Sequence, residues 1–267
     1  MARNRSPKRG RARPREQVER IRALDRGLVV LERLASSPNL SLTELANQVG
    51  LAYSTAHRIL ETLRQRAFVD RSDETGRYSV GVRAFEVGTG YLAKGQLPEA
   101  AHEPMKRLVE ELNETVNLAV RGGREAIYIH QVEGQQKVRM FTQIGARTPL
   151  HSSGVGKVLL AWQSPDEIEA FLQAPLTAYT EHPLTAPQSI LAELARVRER
   201  GYALDLEEFE PGVRCVAAPV RDRHGAVVAA LSLSAPALRL AASRLQPTAK
   251  KIVTTGKEIS RRLGWLE

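Results

Sequence analysis

Leucines recur at positions 24, 28, 31 and 34 of the run RALDRGLVVLERLA (22–35), the spacing of one helix face. Ser36-Ser37-Pro38-Asn39 breaks that pattern. A second helix is expected from Ser41, which stands three residues before Glu44 as in a capping box. Its Leu42, Leu45, Ala46 and Val49 share one side. Gly50 follows, where a helix end can turn left-handed without a side-chain clash. A third helix is expected from near Ser54, with Ala56, Ile59, Leu60 and Leu63 forming the stripe of a core face. Ser54, Thr55, His57, Arg58, Glu61 and Thr62 fall on its other side. Two short strand-like runs, Phe68–Arg71 and Arg77–Val80, flank the turn-forming Ser72-Asp73-Glu74-Thr75-Gly76 and predict a β-hairpin.

Behind this segment the periodicity changes. Val82–Leu97, with Phe85, Val87, Tyr91 and Leu92 as its apolar content, predicts a linking helix. Residues 99–113 carry another amphipathic stripe through Met105, Leu108, Val109 and Leu112. Strand-length runs follow at Val116–Arg121, Ala126–Val132 and Val138–Ile144. Helices are expected at Val158–Trp162, Pro165–Leu172 and Pro187–Arg200. Strands come next at Tyr202–Leu206, Cys215–Val220 and Val227–Leu233, the last two joined by a turn at Asp222-Arg223-His224-Gly225, before a final helix over Leu245–Leu263. Hairpin-joined strands with helices segregated around them predict an α+β domain with a mainly antiparallel sheet.

Small helices joined through a glycine turn, a small Ala46 at their crossing and a polar second helix fit a helix-turn-helix, and the hairpin supplies its wing. The later helix would then lie in the major groove of double-stranded DNA. Arg58 can pair with guanine, and Ser54 or Thr55 can reach a phosphate or a base. His57 and Thr62 share that face. Arg71 and Arg77 on the wing suit flanking phosphates, and equally suit solvated edge positions that discourage strand pairing.

Charge refines this picture. The chain of 267 residues is 42% apolar and 26% charged, the range of soluble globular proteins, and is long enough for two domains. Of its net charge of +9, residues 1–20 supply +6: eight Lys or Arg stand against Glu16 and Glu19. With Pro7, Gly10 and Pro14, this reads as a flexible basic arm suited to a polyphosphate backbone, or as a solvated tail. Residues 21–80 hold eight Lys or Arg against seven Asp or Glu, so that segment alone grips DNA weakly. The arm, or a second copy in a dimer, must add to it. A lone Cys215 rules out an intrachain disulfide. No apolar run approaches the ~20 residues of a membrane span, and the basic start lacks the apolar stretch of a secretory signal, so the cytoplasm is the expected compartment.

Two C-terminal stretches carry candidate chemistry. His151-Ser152-Ser153-Gly154-Val155-Gly156-Lys157 opens a helix, where small residues leave backbone N–H groups for an anion such as a carboxylate, or simply make a tight packing turn. It lacks the first glycine and the hydroxyl residue of a nucleotide P-loop. Ser232 and Ser234 alternate on one face of an apolar strand, and their hydroxyls require partners from a ligand or from neighbouring backbone. Cys215 is a small buried hydrophobe more readily than a nucleophile. No G-x-S-x-G elbow, H-E-x-x-H, metal-spaced Cys/His cluster or G-x-G-x-x-G occurs, so no enzyme activity, cofactor or metal is expected.

In this order and at these distances, the motifs resemble the IclR-type transcription regulators over about residues 22–263. They are Ser41-Leu42-Thr43-Glu44-Leu45-Ala46, Gly50-Leu51, Ser54-Thr55 with His57-Arg58, Gly76-Arg77-Tyr78 with Gly81, and His151 through Lys157. Further on come Gly201-Tyr202-Ala203-Leu204-Asp205 through Glu208, Gly212-Val213-Arg214-Cys215 with Ala217-Ala218-Pro219-Val220, and Ser232 to Pro236. The resemblance implies a GAF-like effector domain behind the winged helix, and dimers or tetramers on palindromic operators. It also implies a pocket for a small organic acid at Gly154, Val155, Asp205, Cys215, Ser232 and Ser234, with Leu150 and Val213 as apolar wall. The branch that responds to glyoxylate or allantoin-pathway metabolites looks nearest. The expected organisation is an arm (1–20), a winged helix-turn-helix (21–81), a linker helix (82–97) that couples the two ends, and an effector domain (98–267). The expected function is a regulator, as a repressor, controlled by that acid. The alternative is a metabolite-binding protein or enzyme that uses the N-terminal module for dimerisation only.

Overall fold

The computed structural model describes residues 21–92, 97–137 and 142–266. The basic arm expected over 1–20 lies outside them. The chain divides between Tyr91 and Leu92 into two units with separate cores.

The first unit holds α1 (Arg22–Ser36), α2 (Leu42–Gln48), α3 (Tyr53–Gln65), β1 (Val69–Arg71), β2 (Tyr78–Val80) and α4 (Val82–Leu92). The Ser41 capping box forms as the sequence predicts: Ser41 Oγ accepts from Glu44 N–H while Glu44 accepts from Ser41 N–H at 2.7 Å. Gly50 takes φ +66°, turning the chain from α2 into α3. Val30, Leu34, Leu45, Ala56, Leu60 and Val69 close the core. β1 and β2 pair antiparallel, and Leu40 adds a bridge to Tyr78. The leucine stripe of α1 is only half used. Leu34 is buried, but Leu24 and Leu28 are 59% and 51% exposed, because the first turns of α1 carry their apolar side past the three-helix core.

The second unit is built on a six-stranded sheet, ordered β5-β4-β3-β8-β7-β6, with every pairing antiparallel. Its strands are β3 (Thr115–Gly122), β4 (Glu125–Val132), β5 (Arg147–Pro149), β6 (Ala203–Leu206), β7 (Val213–Arg221) and β8 (Val227–Pro236). The α+β architecture with an antiparallel sheet is the one expected. Strand alternation sends Val116, Leu118, Val216 and Leu231 to one face, under α5 (Leu97–Leu112) and α9 (Ala242–Arg262). Ala119, Ala203, Ala217 and Ala230 go to the other face, under α6 (Gly154–Ala161), α7 (Pro165–Leu172) and α8 (Pro187–Arg200). Those alanines leave room for α6 to approach so closely that all its residues are buried.

Three boundaries differ from the sequence reading. α6 begins at Gly154 rather than Val158, because Ser153 caps it and the Gly-Val-Gly run forms its first turn. The strand expected over Val138–Ile144 falls partly on 138–141, outside the described residues; 142–144 form no strand, and the three-residue β5 makes the sheet edge instead. α4 is described to Leu92, short of the expected Leu97, where α5 starts. Among the described residues no helix is long and apolar enough to cross a membrane.

Candidate nucleic-acid interface and ligand pocket

α3 presents two unlike faces. Ala56 and Leu60 seal into the core, while Ser54 and Arg58, each two residues from Ala56, point directly away from it. Ser54, His57 and Arg58 are exposed and make no hydrogen bond within the described residues. Thr55 is half-buried and turns toward α1, where it lines a groove with Arg58, Thr62, Leu24 and Leu28. Thr62 donates its hydroxyl back to Arg58 O at 2.8 Å. Glu61, the one acid on this face, is tied to Arg64 at 2.9 Å, which holds its carboxyl below the usual range and neutralises it.

The wing arginines have partners the sequence did not name. Arg77 donates to Asn39 O at 2.6 Å and to Glu44 at 3.0 Å, pinning the hairpin to the capped end of α2. Arg71 donates to Gly76 O at 3.3 Å and lies over the Tyr78 ring. Both remain exposed at the surface.

In the second unit the pairing register lines up Thr115, Ser234, Cys215 and Asp205 on adjacent strands, all on the α6 side of the sheet. The next row holds Asn117, Ser232, Ala217 and Ala203. Over these rows the first turn of α6 closes on the sheet. A Cβ on Gly154 would stand 2.9 Å from Cys215 Sγ, so only glycine fits there. Ser153 Oγ donates to Pro149 O at 2.7 Å and accepts from Gly156 N–H at 3.1 Å. The Gly154 N–H, at the helix start, has no intrahelical acceptor.

A cavity of about 300 Å³ opens here. Gly154, Asp205, Val213, Cys215 and Ser234 line it. Ser232 is fully buried one row deeper. Leu150 and Val155 do not line the cavity: both side chains are buried in the core beneath α6, because the helix starts four residues after Leu150 and turns Val155 inward. Residues the sequence reading missed complete the wall, among them Tyr128, Arg147, Thr148, Phe209 and Glu210. Thr148 takes the place expected of Leu150. A three-residue strand carries too little alternation to have announced it.

Beside the cavity lies a buried charge cluster. The Lys157 side chain is 0% exposed and donates to both carboxylate oxygens of Glu208 at 2.6 Å. Asp205 accepts from Glu208 N–H at 2.8 Å. Burial pushes the Asp205 carboxyl up to about 7, against the pull of Lys157 and the backbone N–H groups; Glu208 adds to the rise. Burial also raises the Cys215 thiol to about 12. His151 is tied to Thr177 O at 2.9 Å, and burial holds its pKa down. Cys215 and His151 therefore do not form an activated thiolate pair.

Asp205 makes stability depend on pH. The folded chain keeps this proton up to about pH 7, whereas an unfolded carboxyl releases it near 3.8. Between those values the native state binds more protons than the unfolded state, so this contribution is full below 3.8 and is lost as pH rises through 7. Thermal unfolding of the full chain at pH 5 and at pH 8 is expected to show a smaller decline for Asp205→Asn than for wild type. Equal declines would mean that Asp205 is ionised in both.

Two family descriptions match the chain: the IclR helix-turn-helix domain over residues 23–73, and the bacterial transcriptional regulator IclR C-terminal domain over 89–261. The regulator BhcR of Paracoccus denitrificans is 38% identical over 260 residues, covering 95% of this chain and 93% of its own. The transcriptional repressor IclR of Escherichia coli is 39% identical over 248 residues, covering 91% and 90%. Among solved structures, an IclR homologue from Microbacterium hydrocarbonoxydans, complexed with 4-hydroxybenzoate, superposes with a TM-score of 0.79 at 26% identity, over 90% of this chain and 98% of its own.

Proposed function

The chain belongs to the IclR family of bacterial transcriptional regulators, and on that premise we propose that it is a repressor whose hold on its operator changes when a small organic acid enters the cavity of its second unit. The observation that carries the DNA half is the outer face of α3, where Ser54, His57 and Arg58 are exposed and their side chains bond to nothing among the described residues. Such side chains contact base edges at no cost in intramolecular bonds. Residues 21–81 bind DNA, the arm 1–20 adds phosphate contacts, 82–97 joins the two functions and 98–267 binds the acid. A protein of this kind works in the cytoplasm, where its DNA is.

The active form is a dimer on a palindromic operator. Ile21, Leu24, Leu28 and Val29 of α1 and its N-cap, and Val82, Phe85 and Val87 of α4, are between 41% and 71% exposed. Apolar side chains clustered in this way on two helices mark a protein–protein surface. The acid acts through linkage: it shifts DNA affinity only by its differential affinity for the two states of the regulator. A bound acid in the Microbacterium homologue supports an acid here. Catalysis has no support in the site, since Cys215 is held as the neutral thiol and His151 is bonded elsewhere.

Selection of bound duplexes from a random pool tests this reading. An inverted repeat should be enriched, and a metabolite-acid mixture should alter its retention. Enrichment of no sequence over bulk duplex would overturn the DNA half.

A further inference from the structure

The far end of α6 borders a second cavity, of about 270 Å³. Trp162, the C-cap of α6, and Trp265, just beyond α9, form part of its wall. It shares no lining residue with the cavity at the start of that helix. Arg198, Arg221 and Lys257 line it, and among the described residues no carboxylate does. The half-buried Arg221 guanidinium stands 5.1 Å from the Trp162 ring centre and 5.7 Å from that of Trp265, so the two indoles hold it in place. Arg221 Nη1 donates to Gly225 O at 2.7 Å, and Arg198 Nη1 donates to Ala161 O at 2.9 Å. A guanidinium has several further N–H donors, and those of Arg198 and Arg221 find no acceptor among the described residues. Burial pulls the Arg221 pKa down, and no acid among them offsets it.

We propose that this tryptophan-walled cavity binds a small phosphomonoester dianion, as a second ligand site separate from the one at the start of α6. Charge argues for the phosphate. A partly buried guanidinium without a carboxylate partner is costly, and a bound anion offsets that cost. A phosphomonoester brings a charge of about −1.5 to −2 at pH 7 and three acceptor oxygens, which suits a wall of three cations better than a single carboxylate does. The planar fork of each arginine matches a pair of phosphate oxygens, and Lys257 adds a compact charge. Shape argues for an ester rather than the free ion. Pro219 and Val253 supply apolar wall for a short carbon skeleton. At roughly 30 Å³ for each water-sized group, 270 Å³ has room for about nine, the size of a three-carbon phosphate ester.

The chain has two tryptophans, and both line this cavity, so tryptophan emission reads this site directly. Glycerol 3-phosphate added to the full chain in phosphate-free buffer should change that emission saturably. Glycerol, and sodium chloride at matched ionic strength, should not. Inorganic phosphate should bind more weakly, because it leaves the apolar wall uncovered. Arg221→Gln removes the guanidinium between the indoles and should weaken the ester at least ten-fold. Lys257→Gln, at an exposed position, should weaken it at least three-fold without lowering the melting temperature. If Arg221→Gln fails to fold, Lys257→Gln decides. The absence of a saturable change, or undiminished affinity in the folded variants, would overturn the site. Inorganic phosphate binding as tightly as the ester would overturn the assignment to an ester.

Discussion

Arg58→Ala is expected to reduce binding to the selected operator by about 30-fold or more while leaving the melting temperature unchanged. A side chain that reads a base contributes about 1–3 kcal/mol. In a dimer the loss occurs at both half-sites, so about 2–6 kcal/mol disappears, and 1.4 kcal/mol is tenfold. Stability should not follow, because Arg58 is exposed and bonds to nothing else among the described residues. Salt dependence separates its possible targets on DNA. If Arg58 meets a base, the slope of log affinity against log salt is preserved; if it meets a phosphate, the slope falls by about 1 per half-site. Undiminished affinity would show that α3 does not enter the groove by this face.

Lys157→Met is expected to be the most destabilising single change in the second unit. The Lys157 side chain is 0% exposed, and the substitution removes the cation paired with a Glu208 carboxylate whose own side chain is 16% exposed. Breaking a buried pair from one side costs about 3–5 kcal/mol, since the remaining charge is left without compensation. At about 2–4 °C per kcal/mol, that lowers the melting temperature by roughly 6–20 °C. Adding Glu208→Gln should recover much of the loss, because the orphaned charge is removed with it. Part of the single-variant deficit should also vanish at low pH: burial already raises the Glu208 carboxyl, and losing Lys157 raises it further, so protonation becomes the cheaper state. A single variant as stable as wild type would mean that the pair contributes nothing net.

The sequence was most legible where local signals agreed. The spacing of Ser41 and Glu44 set a helix start, Gly50 set its end, and Ala56 and Leu60 set the face that α3 buries. The alternation of Ser232 and Ser234 also placed both hydroxyls on one side of β8. Legibility failed in two places. The leucines of α1 obey helical spacing, yet half of them face outward, because periodicity records which residues share a face and not what covers it. Leu150 and Thr148 are two residues apart on a short edge strand and its following turn. Which of them meets the cavity depends on where α6 begins.

The sequence by itself thus determined the winged helix-turn-helix, the antiparallel α+β unit and the outward set of α3, since each rests on signals spanning only a few neighbouring residues. Tertiary structure alone decided the cavity. Ladder register lines up Asp205, Cys215 and Ser234 on three adjacent strands, and Thr148 joins them at the cavity from β5, at the other edge of the sheet order. The elevated Asp205 carboxyl and the enclosed Lys157–Glu208 pair likewise follow from burial, which α6 creates by closing on a floor of alanines. Desolvation is a property of packing at a distance in the chain, and no local run of residues encodes it.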